Sequence, residues 1–470
     1  MDEINANWLA YGALLIWPVV ALYLYSRLPV GQATLWTVLG GYLLLPAELS
    51  IKFKMVPAFN KETIPNLAAL AGCALYTRRL PRFFRGLGLA EILVLLILIG
   101  PFVTSLLNGD TIRIGNTVLP GVGAYDAGST MIFEFFFMLS FFIGREFLRS
   151  DHDSFQTLRI MVIAGLAYSL PLLFELRMSP SLSYWIYGYY ARSIVTEFRD
   201  GGFRPVVFLT NGLTLAFFIM TTAVAAAALW RIRSRIGRWP ASVFTGYLSS
   251  ILILCKTLGA LTYGIVAVPL VRWVTPRAQL RVACILVTIA LAYPLLRLDD
   301  LVPTASILEV VRVVSVDRAD SLDTRFVNEE QLLQHAWERP WFGWGRYGRS
   351  RVYNGWLGAD SSITDGYWII VLGQFGIVGF IGTFGLLALS VYRAAAALRF
   401  VNGMREAICL SALSLIVAFN IVDLLPNASN SCWLWLLTGA LFGRAEALRA
   451  KSKQTAQSAR ERPLVSRPAV

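Results

Sequence analysis

Long apolar segments recur along most of the sequence, and they constrain its fold more than any other feature. Hydrophobic residues make up 56% of the 470 residues and charged residues only 15%, and the mean hydropathy is +0.59. Because a helix of about 20 apolar residues crosses a bilayer, we expect an all-α polytopic membrane protein. Windows of this kind lie near residues 8–26, 31–47, 64–77, 87–107, 128–148, 157–176, 205–230, 240–255, 257–274, 279–296, 367–392, 405–424 and 431–448.

These windows predict thirteen transmembrane helices. Twelve is the alternative, because the windows at 31–47, 64–77 and 240–255 are short or poorly separated. Asp2 and Glu3 precede the first apolar run, where a removable signal peptide has a basic segment. The first span is therefore expected to remain as an anchor.

Arginines are concentrated in short loops between the apolar windows, and this pattern predicts the topology. Short basic loops face the cytoplasm by the positive-inside rule. The loops at 108–127, 177–204 and 297–366 are then expected to face outward, as the only polar segments large enough to build a site. The arginines that set this topology are Arg78, Arg79, Arg82, Arg85, Arg145, Arg149, Arg231, Arg233, Arg235, Arg238, Arg272, Arg277, Arg281, Arg393 and Arg399.

The topology divides the chain into four parts. Residues 1–296 form an N-terminal transmembrane bundle, 297–366 a periplasmic loop with short helices, 367–448 the C-terminal transmembrane helices, and 449–470 a basic cytoplasmic tail. The tail lacks apolar periodicity, so it is expected to be disordered near the anionic leaflet. The net charge of +13 reflects topology-setting arginines and this tail, so nucleic acid is not expected as a partner.

The loop at 297–366 holds eight arginines and no lysine. The planar guanidinium binds two phosphate oxygens at once, so this composition favours a phosphate ligand. The alternative is that most of these arginines pair with acidic residues of the same loop. The eight are Arg297, Arg312, Arg318, Arg325, Arg339, Arg346, Arg349 and Arg351.

A helix is predicted within this loop, with polar residues along one stripe at steps of three and four. Pro340 must end it, since proline lacks an amide hydrogen and pushes its predecessor out of the helical region. Further on, glycines recur every third residue from Gly373 to Gly385, which predicts a wrapped glycine row or a break near Gly376. The polar stripe comprises Arg325, Asn328, Leu332, His335 and Arg339.

Other candidates lie in the loop at 177–204 and between two late apolar windows. Aromatic residues of that loop could stack on sugars while Arg192, Arg199 and Arg204 hold a diphosphate; the alternative is an interfacial aromatic belt with snorkelling arginines. Lys256 lies between apolar runs, where a cation needs water or an anion, or snorkels from a helix end. The cysteines lack metal-ligand spacing, so no metal or other cofactor is expected.

The 297–366 loop resembles that of the O-antigen polymerase and O-antigen ligase superfamily of bacterial envelope glycosyltransferases. That family carries an arginine, a helix with a tryptophan, a proline and Gly-x-Gly, and then a loop and a transmembrane helix. Arg199 and Arg204 before Asn211-Gly212, and Lys256 before Gly259, are similar to further motifs of the family. The main set here is Arg325, Trp337, Pro340, Gly343-Trp344-Gly345 and Thr364-Asp365-Gly366-Tyr367-Trp368.

The resemblance implies glycosyl transfer, with inversion, from a polyprenyl-diphosphate-linked oligosaccharide to an acceptor glycan on the periplasmic face of the bacterial inner membrane. Arg325 is the first candidate for stabilising the departing diphosphate, with Arg192, Arg199, Arg204, Lys256, His335, Arg339 and Arg346 as further substrate-binding residues. Asp365 is the candidate catalytic base; alternatively it caps the following helix.

Ligases of the superfamily carry a histidine where the loop returns to the membrane, but the matching position here reads Thr364-Asp365-Gly366. A polymerase of O-antigen or exopolysaccharide repeat units is therefore preferred over a ligase acting on lipid A core. A lipid-linked saccharide transporter is the second alternative, although no symmetric halves are evident. The resemblance also implies membrane lipid, a chain-length regulator and a flippase as partners.

Overall fold

The computed structural model describes residues 6–53, 56–199 and 201–461, and helices dominate them. Within these ranges there are sixteen α-helices: α1 Trp8–Arg27, α2 Val30–Leu44, α3 Thr63–Thr77, α4 Leu89–Leu107, α5 Ala124–Phe147, α6 Asp151–Met178, α7 Leu182–Tyr187, α8 Gly212–Arg231, α9 Ala241–Leu254, α10 Leu258–Trp273, α11 Pro276–Leu298, α12 Thr304–Val314, α13 Val316–Trp337, α14 Tyr367–Ala397, α15 Met404–Asp423 and α16 Cys432–Glu461.

Four antiparallel two-stranded hairpins and two 3₁₀ turns join some of these helices. The turns are Ile194–Glu197 and Leu398–Phe400. The hairpins are β1 Ser50–Phe53 with β2 Val56–Asn60, β3 Ile112–Ile114 with β4 Thr117–Leu119, β5 Phe198–Arg199 with β6 Gly202–Phe203, and β7 Arg235–Ile236 with β8 Trp239–Pro240.

The helices confirm an all-α polytopic membrane protein. In the described ranges, eight are long and apolar enough to cross a membrane, namely α1, α4, α5, α6, α8, α11, α14 and α15. The other five predicted windows also lie on helices. Helices α2, α3, α9 and α10 have 14 to 16 residues, and α16 carries Arg444 and Glu446 near the end of its apolar part. The count of twelve or thirteen spans stays a prediction.

The topology-setting arginines meet at one end of the bundle, which we call the basic end. Arg145 of α5 bonds to Glu91 at the start of α4 and to Glu446 of α16. Arg444 of α16 bonds to Glu406 at the start of α15. Helices α3, α8, α14 and α16 all begin at the opposite end, as does the loop at 297–366 that follows α11.

The Gly-x-Gly motif is a structural joint. Helix α13 ends at Trp337, as Pro340 predicts, and α14 breaks at Gly376 with φ of 65° and ψ of −164°. The segment 340–345 fits its backbone against this break, where the Trp344 N–H donates to Gly373 O at 2.9 Å and the Ile377 N–H to Pro340 O at 2.7 Å. The predicted break near Gly376 is confirmed, and it anchors the loop to the membrane bundle.

The structure describes the two chain ends only in part, so it tests the predicted disorder of the C-terminal tail but not the role of Asp2 and Glu3. The tail at 449–470 is not disordered throughout, because α16 continues as a helix to Glu461. Residues 462–470 lie outside the described ranges, as do Asp2 and Glu3. Helical continuation past Leu448 is understandable, since alanine, lysine, glutamine and arginine are good helix formers.

Candidate functional site

A cavity of about 900 Å³ lies at the end of the bundle opposite the basic end. It is bounded by the hairpin β1–β2 and the start of α3, by residues 192–214, by α13, by residues 364–365 and by the loop 424–431 between α15 and α16. Its charged lining residues are Lys52, Lys61, Arg192, Arg204, Arg325 and Arg346, with Glu48, Glu62, Glu197, Asp365 and Asp423.

The two residues predicted to be catalytic contact each other in this cavity. Arg325 Nε lies 3.2 Å from Asp365 Oδ2, and both side chains are about one-third exposed, at 31% and 34%. A second guanidinium nitrogen of Arg325 donates to Pro426 O at 3.3 Å. The alternative role of Asp365 as a helix cap is wrong, because the N-cap of α14 is Gly366, without a side-chain capping bond.

Arg204 and Glu197 form a buried ion pair in the cavity wall. Arg204 Nη2 lies 3.0 Å from Glu197 Oε2, and it also donates to Thr196 O at 3.1 Å. The same carboxylate accepts the Gly212 N–H at 3.3 Å, where α8 begins. Arg204 is therefore partly committed to holding the wall together, which lessens its freedom to bind a ligand.

Other cavity cations lack such partners. Over the described ranges, no carboxylate lies within 4.0 Å of the charged groups of Lys52, Arg192 or Arg346. Arg346 lies over the Phe133 ring, 5.2 Å from its centroid. A guanidinium on an aromatic face keeps N–H donors available at its edge. These three side chains are the best placed to meet an anionic ligand.

Five other arginines of the 297–366 loop form ion pairs, but only three of them do so with acidic residues of the same loop, as the alternative predicted. Arg297, Arg312 and Arg351 pair with Glu330, Asp320 and Asp360, all of the same loop. Arg349 and Arg339 instead pair with Asp110 of the loop before α5, at 2.9 and 3.3 Å. Burial alone would raise the pKa of Asp110, but the hydrogen bond and charge of Arg339 and the charge of Arg349 outweigh it and lower that pKa.

Arg339 and His335 lie outside the cavity lining. Arg339 stacks over Trp344, 4.1 Å from the centroid of the ring. The His335 imidazole also stacks on Trp344, at 4.4 Å between ring centroids, and its Nε2 lies 3.1 Å from Arg349 O. The two side chains thus pack the Gly-x-Gly joint, and the cavity gathers Arg325 and Arg346 without them.

Lys256 and Arg199 belong to a neighbouring region. Lys256 occupies the turn between α9 and α10 with φ of 52°. Its Nζ is so close to the hairpin β5–β6 that a Cβ on Gly202 would lie 2.5 Å from it. It is not among the cavity-lining residues. The backbone of Arg199 forms part of β5, and its side chain lies outside the described part of the chain.

Sequence reasoning missed two segments that line the cavity, so the prediction that only three loops could build a site is wrong. Residues 48–62 supply Lys61, which is 6% exposed and donates to Phe208 O at 3.1 Å. Burial lowers the pKa of Lys61 to about 8, against the opposing charge of Glu62. The loop 424–431 contacts Arg325 through Pro426. The sequence signal that could have identified this segment is the charged pair Lys61-Glu62 directly before the apolar window at 64–77.

Comparison with protein-family models and with curated protein sequences finds no match for this chain. The case for a function therefore depends on the geometry of the cavity and on the motif resemblance.

Proposed function

We propose that this protein is a membrane glycosyltransferase that polymerises lipid-diphosphate-linked oligosaccharide repeat units. The observation that carries the proposal is the cavity itself, in which Arg192, Arg325 and Arg346 converge from two loops of the chain beside the paired Arg204. Three guanidinium groups around one space favour a ligand with two phosphates, because each can bind two oxygens.

The reaction that suits this cavity is displacement of a diphosphate by a sugar hydroxyl. Negative charge grows on the diphosphate as its bond to the anomeric carbon breaks. Preorganised charge-assisted hydrogen bonds stabilise that charge in the transition state. Arg325, held by Asp365 and Pro426 O, is oriented for this role, and Arg346 adds a cation without a carboxylate partner in the described ranges.

The position of the cavity supports a location in the bacterial inner membrane with the site facing the periplasm. It lies at the ends of the helices opposite the cluster of arginines that the positive-inside rule assigns to the cytoplasm. A reporter fused after Gly345 is expected to be active on the periplasmic side. A cytosolic reporter at that position would contradict the proposal.

Polymerase is preferred over ligase because neither of the two histidines lines the cavity. Deleting the protein is then expected to leave single repeat units on the lipid carrier. Full-length polymer that is not joined to lipid A core would instead indicate a ligase. Elongation by purified protein in detergent would exclude a transporter that performs no chemistry.

The direct test is elongation of a defined lipid-linked repeat unit by purified protein. Arg325→Ala is expected to lower kcat by about 10²- to 10³-fold, as loss of one transition-state donor does. Arg312→Ala is the matched control, because Arg312 is 58% exposed and lies outside the cavity lining. Equal activity of the two variants, or no elongation by the wild type, would overturn the proposal.

A further inference from the structure

If the protein carries out the proposed reaction, the predicted base Asp365 would lie beside the leaving group. Its carboxylate is 3.2 Å from the Nε of Arg325, so a diphosphate held by Arg325 would lie beside it. In an inverting transfer the hydroxyl attacks from the face opposite the leaving group, and the base must lie on that face. A carboxylate paired with the arginine of the leaving group does not meet this requirement.

Most other carboxylates of the cavity are already committed. Glu197 is paired with Arg204. Asp423 is 5% exposed, and its two oxygens accept hydrogen bonds from Asn427 and Ser429, each at 2.9 Å. Glu48 is exposed, and no contact of its carboxylate with a described residue would fix it for proton transfer.

Glu62 differs from these carboxylates. Its Oε2 accepts the N–H of Cys432 at 2.7 Å, which fixes the carboxylate at the start of α16. No basic group lies within 4.0 Å of it among the described residues, and the Cys432 side chain is a second hydrogen-bonding neighbour. Glu62 is therefore a positioned, half-buried carboxylate without an ion-pair partner in the described ranges, and it lines the cavity.

We propose that Glu62, held by the start of α16, is the general base that accepts the proton of the acceptor hydroxyl in the cavity that Arg325 also lines. The inference rests on the proposed function. The hydroxyl oxygen bonds to the anomeric carbon while the bond from that carbon to the diphosphate oxygen breaks, and the electron pair leaves with the diphosphate. The hydroxyl proton goes to Glu62, which later releases it to water.

The surroundings of Glu62 suit a base that works near neutral pH. Burial raises the pKa of its carboxyl, although the Cys432 N–H and the charge of Lys61 oppose the shift. A raised pKa brings a carboxylate closer to the operating pH, where general bases are most effective. The titratable groups that face it are Lys61, Glu48, Tyr42 and Cys432.

The test compares Glu62→Gln with the wild type in the elongation assay across pH. Glutamine keeps an oxygen for the Cys432 N–H but is not basic, so kcat is expected to fall by about 10²- to 10⁴-fold with the KM of the donor unchanged. The wild-type rate should decrease as Glu62 becomes protonated at low pH. That acidic limb should be absent from the residual activity of Glu62→Gln and present in Asp365→Asn.

Three further measurements separate the possible outcomes. Glu62→Asp should recover part of kcat, while Glu309→Gln, an exposed change outside the cavity, should change nothing. Loss of thermal stability in Glu62→Gln with the acidic limb retained would mean a structural role and overturn the inference alone. An acidic limb that disappears in Asp365→Asn would identify Asp365 as the base and would also overturn the inference alone. If the wild type transfers no sugar, the proposed function fails as well.

Discussion

The arginines at the two ends of the bundle differ in how their charge is balanced. At the basic end, Arg145 is 3% exposed and contacts Glu91 at 2.8 Å and Glu446 at 2.6 Å. Arg85 joins the same group by contacting Glu446 at 2.8 Å and Glu146. In the cavity, Arg204 is paired with the buried Glu197 and Arg325 contacts one carboxylate, but Arg192 and Arg346 have no carboxylate within 4.0 Å over the described ranges.

This contrast separates structural from ligand-binding charge. A buried guanidinium is tolerated only when carboxylates and further hydrogen bonds replace its lost water. A cation that lines a large cavity without a carboxylate partner keeps its donors for an anion that enters. Substitution of an arginine should therefore lower stability at the basic end, whereas substitution of Arg192 or Arg346 in the cavity should lower activity.

The largest expected effect is at the basic end. Arg145→Met leaves the buried Glu91 and its neighbour Glu446 without their shared partner, which should lower the free energy of unfolding by roughly 3–5 kcal/mol. Unfolding by denaturing detergent from mild micelles measures it. Arg149→Met is the control, because Arg149 is 36% exposed and lies 3.9 Å from Glu146; it should cost at most about 1 kcal/mol. If Arg145→Met and Arg149→Met lowered the free energy of unfolding equally, the buried ion pairs of Arg145 would not stabilise the basic end more than an exposed one.

The joint that positions the cavity arginines can be broken without touching a charge. Gly376 has a φ of 65°, and a Cβ there would lie 2.4 Å from the carbonyl carbon of Trp341. Gly376→Ala should therefore cost about 1–3 kcal/mol of stability from the backbone conformation, with the contact adding to it. Gly12→Ala is matched to it, because nothing lies within 4 Å of its added Cβ. If Gly376→Ala left the stability unchanged, the backbone around Gly376 would be able to rearrange without cost, and the joint would not hold the loop rigidly.

Much of the fold follows from local sequence, for physical reasons that act over short distances. Apolar windows become helices because a bilayer leaves backbone groups no other partners. Pro340 ends α13, and the glycine row allows the break at Gly376, as both patterns predict. The basic short loops lie at one end of the bundle, as the positive-inside rule predicts, and contacts such as Arg145–Glu91 and Arg444–Glu406 join them there.

The composition of the cavity was only partly predictable. Arg325 and Asp365 were identified separately, but their contact joins residues from α13 and the start of α14. Glu62 and Cys432 are 370 positions apart, and they meet because α3 and α16 both pack on α5, which brings the starts of the two helices together. Local periodicity carries no information about such pairs. The predicted stripe on α13 does not line the cavity as a unit, because Arg325 is its one member among the lining residues and Leu332 is buried at 3% exposure.

A smaller effect tests the cavity side of the comparison. Arg346→Ala removes a cation that has no ion pair to break in the described ranges, so stability should change by less than about 0.5 kcal/mol. The KM for the lipid-diphosphate donor should rise about 10-fold, the value of one charge-assisted hydrogen bond. Arg351→Ala, which loses a partly exposed pair with Asp360 outside the cavity, should leave KM unchanged. A stability loss in Arg346→Ala without a change in KM would place Arg346 with the structural arginines.

The smallest effect concerns Asp110, which joins the outer loops through Arg339 and Arg349. Its pKa is lowered in the folded state, so its charge stabilises the fold above the ordinary aspartate pKa of about 3.9 and loses this effect as pH falls through the folded value. The carboxylate is 49% exposed, which limits the contribution to about 1 kcal/mol or less.

Melting temperatures of the wild type and Asp110→Asn should therefore differ at neutral pH and converge as the pH falls from about 3.9 through the lower folded pKa of Asp110. Asp299→Asn changes an exposed residue without an ion pair among the described residues, so its melting temperature should equal that of the wild type at both neutral and acidic pH. A difference for Asp110→Asn that persists in acid would arise from altered packing around the buried Arg349 rather than from charge. Arg349 would then resemble the arginines of the basic end, although it lies on the loop that forms the cavity.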